Sequence, residues 1–194
     1  MALKSWKIDT VHSSITFLVR HMLVSTVRGT FTRWSGTLVF AEAVPGAASV
    51  SVSVDSTSID THVPERDAHL RSIDFLSAEE HPLITFQSTM VEAIGPRQMT
   101  LIGDLMIRGI TREVVLDVEY GGRISDPLGH ERVGFSARTT ISRRAFGITF
   151  NQSLAGGGLM VGDKLEILIE VEAVEGAARD HAVLRTRPLA AGEP

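Results

Sequence analysis

The segment His12-Ser-Ser-Ile-Thr-Phe-Leu-Val-Arg-His21 decides the fold class of this chain. Its apolar residues Ile15, Phe17 and Val19 fall on one face of an extended chain, and the intervening residues fall on the other. A period of two is typical of a β-strand that turns one face towards an apolar interior. The segment therefore predicts a long, half-buried strand near the start of the chain.

The same alternation recurs along the chain. Valines alternate with serines over residues 49–54, and residues 163–175 place aliphatic side chains opposite charged ones. Between such segments stand turn residues such as Pro45 and Gly46. We expect an all-β domain of about eight or more antiparallel strands, closed as an up-and-down barrel because closure removes exposed sheet edges.

The strand pattern is interrupted over residues 64–82. Pro64 suits the first turn of a helix, and Ser77 with Glu80 fits a capping box that would start another helical turn. Pro82 then ends that turn. We predict a short helical crossover near residues 64–82, and we place Gly29 near the bend that leads into the second strand.

The chain is expected to form one domain with a tail. Residues 1–175 carry the strand pattern and predict the barrel. From residue 176 onwards the composition shifts to Ala, Arg, Asp, Gly and Pro without a strand period. Residues 176–194 are therefore predicted to form a mobile C-terminal tail.

Composition excludes several functional classes. The 194 residues carry a net charge of −4 and no run of five like charges, which argues against a nucleic-acid binder. Cysteine is absent, so neither a disulfide nor a catalytic thiol is available. No segment has the roughly 20 apolar residues that span a bilayer, and the N-terminus lacks the apolar run of a signal peptide. We expect no transmembrane segment and a cytoplasmic location.

No motif for catalysis or metal binding stands out. The seven histidines lack a spacing such as His-x-x-x-His, so no metal site is predicted. No Gly-x-Ser-x-Gly elbow appears. The densest polar cluster contains Asp67, His69 and Arg71 on the crossover. It fits either a rim that meets a ligand's polar head or an ion-paired network that ties the helix to the barrel, and the second interpretation is favoured.

The eight phenylalanines carry more information. Phe17, Phe40, Phe86 and Phe135 fall on predicted inward faces of separate strands, and the others lie near strand ends. A packed aromatic core and the wall of a ligand cavity use the same residue types. Periodicity alone leaves both possibilities open.

A series of motifs resembles the YceI-like family of bacterial lipid-binding proteins. The resemblance begins with Trp6-x-Ile-Asp-x-x-His12-Ser-x-Ile-x-Phe17-x-Val-x-His21 and Val27-x-Gly29-x-Phe31. It continues, in order, with Ser58-Ile-Asp60-Thr, Arg66-Asp-Ala-His-Leu-Arg-Ser72, Asp74-Phe75, Pro82-x-Ile-x-Phe86-x-Ser88, Gly103-Asp-Leu-x-Ile107-x-Gly109-x-Thr-Arg112, Phe135-Ser-Ala, Phe146-Gly147 and Val161-Gly-Asp163. It covers roughly residues 6–174.

The resemblance implies an eight-stranded, lipocalin-like barrel whose apolar tunnel holds a polyisoprenoid or an isoprenoid quinone tail. Such a protein would store or carry the lipid without being an enzyme and without a further cofactor. Strand parity and the resemblance together predict these tunnel residues: Phe17, Val19, Phe31, Leu38, Phe40, Phe75, Phe86, Phe135, Phe146 and Ile148. His21, His69 and Arg71 are expected near a polar mouth.

Two other functions stay open at this point. The first is an enzyme that acts on a bound apolar substrate and uses Asp67, His69 and Arg71 for acid–base chemistry. The second is a packed barrel without a cavity that serves as a dimeric interaction module. A homodimer is compatible with either a carrier or such a module.

Overall fold

A computed structural model describes residues 3–22, 24–154 and 157–176. In these residues it contains eleven β-strands and one α-helix. The strands are β1 (Lys4–Ile8), β2 (Ser14–His21), β3 (Ser25–Phe31), β4 (Trp34–Phe40), β5 (Ser49–Asp55), β6 (Ile59–Asp60), β7 (Leu83–Ala93), β8 (Gln98–Ile107), β9 (Ile110–Ser125), β10 (Glu131–Ser142) and β11 (Val161–Glu175). The helix α1 spans Pro64–Arg71, and short 3₁₀ turns span Pro45–Ala47, Ser56–Ser58 and Arg143–Phe146.

The strands form a closed antiparallel barrel of eight. The ring runs β1-β4-β5-β7-β8-β9-β10-β11, and β11 returns to pair with β1. Beyond β1, the same strand β11 pairs with β2, which in turn pairs with β3, and β3 pairs with β6. β1 with β2, β3 with β4, and β5 with β6 are therefore successive pieces of three interrupted barrel strands. The predicted fold class is confirmed.

The two ends of the barrel differ. At one end, called the closed end, a cluster around Trp6, Phe40, Val133 and Ala173 fills the interior, and each of these residues is buried. The indole of Trp6 donates a hydrogen bond to the carbonyl of Phe40 at 3.2 Å. The end that carries α1 and the β2–β3 turn is called the upper end. There, within the part of the chain that the structure describes, β6 and β7 are not paired, and α1 lies beside β6.

The predicted crossover is confirmed as one helix, followed by a single hydrogen-bonded turn in which the amides of Glu80 and His81 donate to the carbonyl of Ser77 at 3.0 and 2.9 Å. Ser77 has φ of +48° and donates its amide hydrogen to the carbonyl of Ser72, so it closes a turn. Its hydroxyl donates to the Glu80 carboxylate at 3.0 Å. The capping-box residues therefore interact, although the left-handed backbone at Ser77 differs from the extended backbone of a regular N-cap.

One further local expectation differs from the structure. Gly29 lies inside β3 and not at a bend, because the chain reverses between His21 at the end of β2 and Ser25 at the start of β3. Gly121 and Gly122 lie inside β9, where φ of +119° at Gly122 accompanies a register shift beside Gly134. A bulge of this kind lets a strand continue while it bends. The predicted mobile tail spans residues 176–194, and from residue 177 onwards it lies outside the described residues.

Within the described residues, no helix is both long enough and apolar enough to cross a bilayer.

Candidate ligand-binding cavity

The barrel encloses an apolar cavity of about 280 Å³. Its wall is built from the inward positions of the strands, which follow the period of two: Ile15, Phe17 and Val19 on β2, and Leu165 and Ile167 on β11. The volume is close to the lower end of the range for ligand pockets, roughly 300–1,000 Å³. The alternative of a packed barrel without a cavity is therefore wrong.

Ten of the predicted binding residues line this cavity. They are Phe17, Val19, Phe31, Leu38, Phe40, Phe75, Phe86, Phe135, Phe146 and Ile148. The rings of Phe17 and Phe31 meet with centroids 5.9 Å apart, and Phe40 packs edge-on against Phe135 at 5.1 Å. The structure thus brings the aromatic residues of separate strands into one wall. Which of them touches a ligand stays a prediction.

The three predicted polar mouth residues lie outside the cavity wall. The Arg71 guanidinium donates to the carbonyls of Thr57 at 2.8 Å and Ile59 at 3.2 Å. Nε2 of His69 lies 2.8 Å from the Asp74 carboxylate. His21 ends β2, paired with Ser25 and Val161. Each of these residues has a structural partner, and a role in binding a headgroup stays a prediction for all three.

The helix is fastened by hydrogen bonds more than by ion pairs. Oδ1 of buried Asp67 accepts from the amide of Thr61 at 2.9 Å and from its hydroxyl at 2.5 Å. Arg66 donates to the same hydroxyl and to the carbonyl of Thr61. Because Asp67, His69 and Arg71 each bond to a different partner, they do not form the hydrogen-bonded relay that acid–base catalysis uses.

Two glycines make room for cavity rings. A Cβ atom added to Gly29 would lie 2.3 Å from Cζ of Phe17, its cross-strand partner. One added to Gly103 would lie 2.5 Å from Cζ of Phe86. Both rings therefore lie flat across a neighbouring strand at a position without a side chain. Sequence reasoning did not assign this role to either glycine.

Sequence reasoning also missed Arg143. This residue is 4% exposed and contributes to the upper part of the wall. Its Nε donates to the carbonyl of Gly162 at 2.9 Å, and its Nη1 donates to those of Ile148 and Phe150 at 3.0 and 2.8 Å. Burial lowers the pKa of the guanidinium. The arginine fastens the segment after β10 to the start of β11, and no sequence pattern marked it because its partners are main-chain groups.

Polar groups are scarce along the cavity. Among the described lining residues, Thr85, Thr139 and Arg143 are the ones that are not apolar, and each nitrogen of Arg143 is bonded to a carbonyl. The interior therefore suits a hydrocarbon chain, and a polar headgroup gains little by entering it.

A charged cluster lies on the outer surface near the closed end. The Arg132 guanidinium bonds to the carboxylates of Asp9, Asp126 and Glu172. Hydrogen bonds from His12 and then Arg132 lower the pKa of Asp9 to about 2. Asp126, which accepts first from the amide of His130, also has its pKa lowered to about 2.

That cluster includes a set of possible metal ligands. Atoms of Asp9, His12 and Glu172 lie within 4.8 Å of one another. Nη1 of Arg132 bonds to both carboxylates, at 3.0 Å to Asp9. Because a guanidinium already neutralises these oxygens, a cation there would have to displace it. The absence of a bound metal stays a prediction.

Comparisons with known proteins agree with this architecture. The YceI-like domain model matches residues 6–173. Protein YceI of Escherichia coli O157:H7 is 36% identical over 172 residues, which cover 88% of this chain and 86% of that protein. The crystal structure of the Campylobacter jejuni YceI protein has a TM-score of 0.69 at 31% identity, covering 81% of this chain and 90% of that one.

A more distant structure shares the fold. A domain from Saccharophagus degradans, described as polyisoprenoid-binding, has a TM-score of 0.65 at 14% identity and covers 90% of this chain and 100% of that one. At such low identity the match concerns the fold alone. The family model and the close relatives cover most of the chain, and they confirm the family that the motifs predicted. The chain therefore belongs to the YceI-like family.

Proposed function

We propose that this protein binds an isoprenoid lipid or an isoprenoid quinone, holds its polyisoprenoid tail in the barrel cavity, and acts as a carrier or store. The observation that carries this proposal is the cavity of about 280 Å³ with an almost wholly apolar wall. A barrel of eight strands has an interior just wide enough for one small ligand. The S. degradans domain, which shares the fold and is described as polyisoprenoid-binding, supports the same ligand class.

The energetics of burial favour a long apolar chain. Each buried apolar carbon contributes about 0.8 kcal/mol, so a five-carbon prenyl unit contributes roughly 4 kcal/mol in gross terms. Three buried units then approach 12 kcal/mol, which corresponds to nanomolar affinity before the costs of ordering a flexible chain. Affinity of this size needs no headgroup contact, which agrees with the scarcity of polar groups in the wall.

The proposed role is binding without catalysis. The rival function needs His69 to exchange protons with a substrate, but His69 pairs with Asp74 and lies edge-on between Phe75 and Phe150, with both centroid separations 5.0 Å. We expect His69→Ala to leave ligand affinity within about threefold of the wild type. Turnover of a bound substrate that disappears in this variant would favour the enzyme.

Mass spectrometry tests the proposal directly. An organic extract of the purified protein is analysed beside the intact protein under native conditions. The proposal expects one prenyl or quinone species per chain, which also identifies the ligand. A protein that yields no such species and also takes up no added isoprenoid would refute it.

The same native spectrum reports the oligomeric state, which stays a prediction of a possible homodimer. The cytoplasmic location is likewise a prediction, and cell fractionation tests it.

A further inference from the structure

Two neighbouring segments border the cavity at the upper end. The wall ends at Val19 on β2 and at Val161 on β11. Beyond these residues lie the β2–β3 turn, of which the structure describes residues 22, 24 and 25, and a loop of which it describes residues 151–154 and 157–160. The amide of Met22 donates to the carbonyl of Met160 at 2.8 Å, so the two segments touch. We call them the rim loops.

The rim loops present apolar side chains to solvent and carry no charge. Val24 is 83% exposed, Met22 41% and Leu159 40%. The sequences of residues 22–25 and 151–160 contain no Asp, Glu, Lys, Arg or His. Grouped exposed apolar residues mark interaction surfaces more often than scattered ones do. These two loops are therefore suited to contact with an apolar phase.

The strands behind the rim loops carry basic residues. Arg20 and Arg28 lie on the outward face of β2 and β3, and Lys164 lies on the outward face of β11; all three are exposed. On the same face of β11, Glu166 pairs with Leu18, and the next acid, Glu170, pairs with Ser14 further from the rim loops. Asp163 is engaged by Ser142 and Arg144, so three positive charges stand against one negative beside the rim loops. The chain has a net charge of −4, so this is a local excess of positive charge behind the apolar rim loops. We call Arg20, Arg28 and Lys164 the basic collar.

The closed end shows that exposed apolar residues alone do not make such a surface. Leu128 is 82% exposed at the tip of the β9–β10 hairpin. It stands between Asp126 and Glu131, and the two arginines nearest to this tip, Arg123 and Arg132, are both bonded to carboxylates. An anionic surface would be repelled there and attracted at the rim loops.

We infer that the rim loops dock on an anionic lipid bilayer, with Met22, Val24 and Leu159 entering its interfacial region and with Arg20, Arg28 and Lys164 near the headgroups. This inference rests on the proposed function, since a ligand dissolved in hydrocarbon avoids water only if the cavity end meets the bilayer. Membrane affinity of such a surface grows with buried apolar area and with attraction to anionic lipids. Ligand passes between bilayer and cavity at this end.

Vesicle co-sedimentation of the full chain tests the docking surface with a matched pair of variants. Val24→Asp and Leu128→Asp each place one acid at an aliphatic position of nearly equal exposure, 83% and 82%. On phosphatidylcholine vesicles that contain phosphatidylglycerol, Val24→Asp is expected to lower the partition coefficient by about tenfold or more. Leu128→Asp is expected to leave it unchanged. Equal binding by both variants, or equal loss in both, overturns the inference.

A second variant tests the basic collar. Arg20→Gln combined with Arg28→Gln is expected to reduce binding to vesicles that contain phosphatidylglycerol and to leave the weaker binding to pure phosphatidylcholine unchanged. Added salt should weaken wild-type binding in the same way, because it screens exposed charges. Vesicle binding that depends neither on headgroup charge nor on salt concentration would contradict the proposed role of the arginines.

Delivery of a prenyl quinone from cyclodextrin separates this inference from the proposed function. Uptake from cyclodextrin needs no membrane, so the Val24→Asp variant should take up the quinone from cyclodextrin as fast as the wild type does. From vesicles, the same variant should take up the quinone more slowly than the wild type. Uptake from cyclodextrin without any vesicle binding by the wild type refutes docking alone. A wild type that takes up nothing from either source refutes the proposed function.

Discussion

Replacing Gly29 by alanine tests the packing of the cavity wall. Gly29 lies opposite Phe17 in the β2–β3 ladder, and the new Cβ would lie 2.3 Å from Cζ of Phe17 and 2.7 Å from the methyl carbon of Thr61. Carbon atoms prefer separations of about 3.5–4.0 Å. The ring would have to move by roughly 1.2 Å, and the cavity is the space available to it.

Two opposing effects set the magnitude. Alanine in the interior of a strand is normally more stable than glycine, by about 0.5–1 kcal/mol. Overpacking a well-filled site costs about 1–3 kcal/mol. With contacts this short we expect the second effect to win and the free energy of unfolding to fall by about 1–2 kcal/mol. For a chain of this size, that lowers Tm by about 2–8 °C.

Urea and thermal denaturation of Gly29→Ala, Phe17→Leu and the double variant give the measurement. Leucine does not reach the position of the Phe17 ring tip, so the double variant should recover part of the loss, with a coupling energy of about 0.5 kcal/mol or more. A displaced ring should also narrow the cavity and weaken ligand uptake in Gly29→Ala alone.

Gly103 provides the control for this reasoning. A Cβ added there would meet the ring of Phe86 at 2.5 Å but also the main-chain carbonyl of Gln87 at 2.6 Å. Shortening the side chain removes one contact and leaves the other. Phe86→Leu should therefore fail to rescue Gly103→Ala. A Gly29→Ala protein that is more stable than the wild type, or rescue that is equal at both sites, would refute the account.

Three further predictions follow from the site and its surroundings. Val19→Trp places a large ring in the cavity, and we expect it to abolish uptake of added isoprenoid while the β-sheet circular dichroism stays unchanged. Arg143→Met leaves carbonyls without donors, so we expect the free energy of unfolding in urea to fall by about 3 kcal/mol or more. The carboxyl groups of Asp9 and Asp126 have pKa values lowered from 3.8 to about 2. They therefore stabilise the fold above about pH 4, and we expect this contribution to the free energy of unfolding to be lost as the pH falls towards 2. Thermal melts across that range should show a steadily decreasing Tm.

Each of these predictions has its own control. Val115 points outward from β9 and is 51% exposed, so Val115→Trp should bind isoprenoid normally; equal loss in both tryptophan variants would remove Val19 from the wall. Arg144 is exposed, with its Nε 3.9 Å from Asp163, so Arg144→Met should cost less than about 1 kcal/mol. A similar cost for Arg143→Met would contradict its structural role. For the carboxylates, a Tm that stays constant from pH 5 to about 2 would contradict the pKa assignment.

Strand parity predicted the inward positions well because it depends on local geometry. Alternation in β2 and β11 placed Phe17 and Leu165 on the correct face, and the same rule placed Phe86. A parity argument needs a run of several alternating residues. It therefore missed β1, where Trp6 and Ile8 are the two inward positions of a five-residue strand.

The features that sequence did not reveal depend on residues far apart in the chain. Whether Phe17 and Phe135 enclose a core or a cavity depends on how eight strands close, which no single segment encodes. The partners of Arg143 are carbonyls between residues 148 and 162, so composition gave no signal. His69 and Arg71 were predicted at a polar mouth from strand parity and the family resemblance, and that role stays a prediction. The structure engages both in fastening the crossover.

The missing ladder between β6 and β7 has a consequence for how the interior can be reached. Elsewhere around the ring, parting two strands breaks a row of main-chain hydrogen bonds. Beside α1, in the described part of the chain, separation breaks only side-chain hydrogen bonds, those of Arg66, Asp67 and Arg71 to residues 57–61, and the side-chain contacts of Leu70 and Leu76 with the core. Local openings span a wide range of free energies within one protein. Segments with few main-chain hydrogen bonds to their neighbours have the lowest free energies of opening. Amide hydrogens of α1 and β6 should therefore exchange with solvent well before those of β10, which makes the helix side the most readily opened part of the wall.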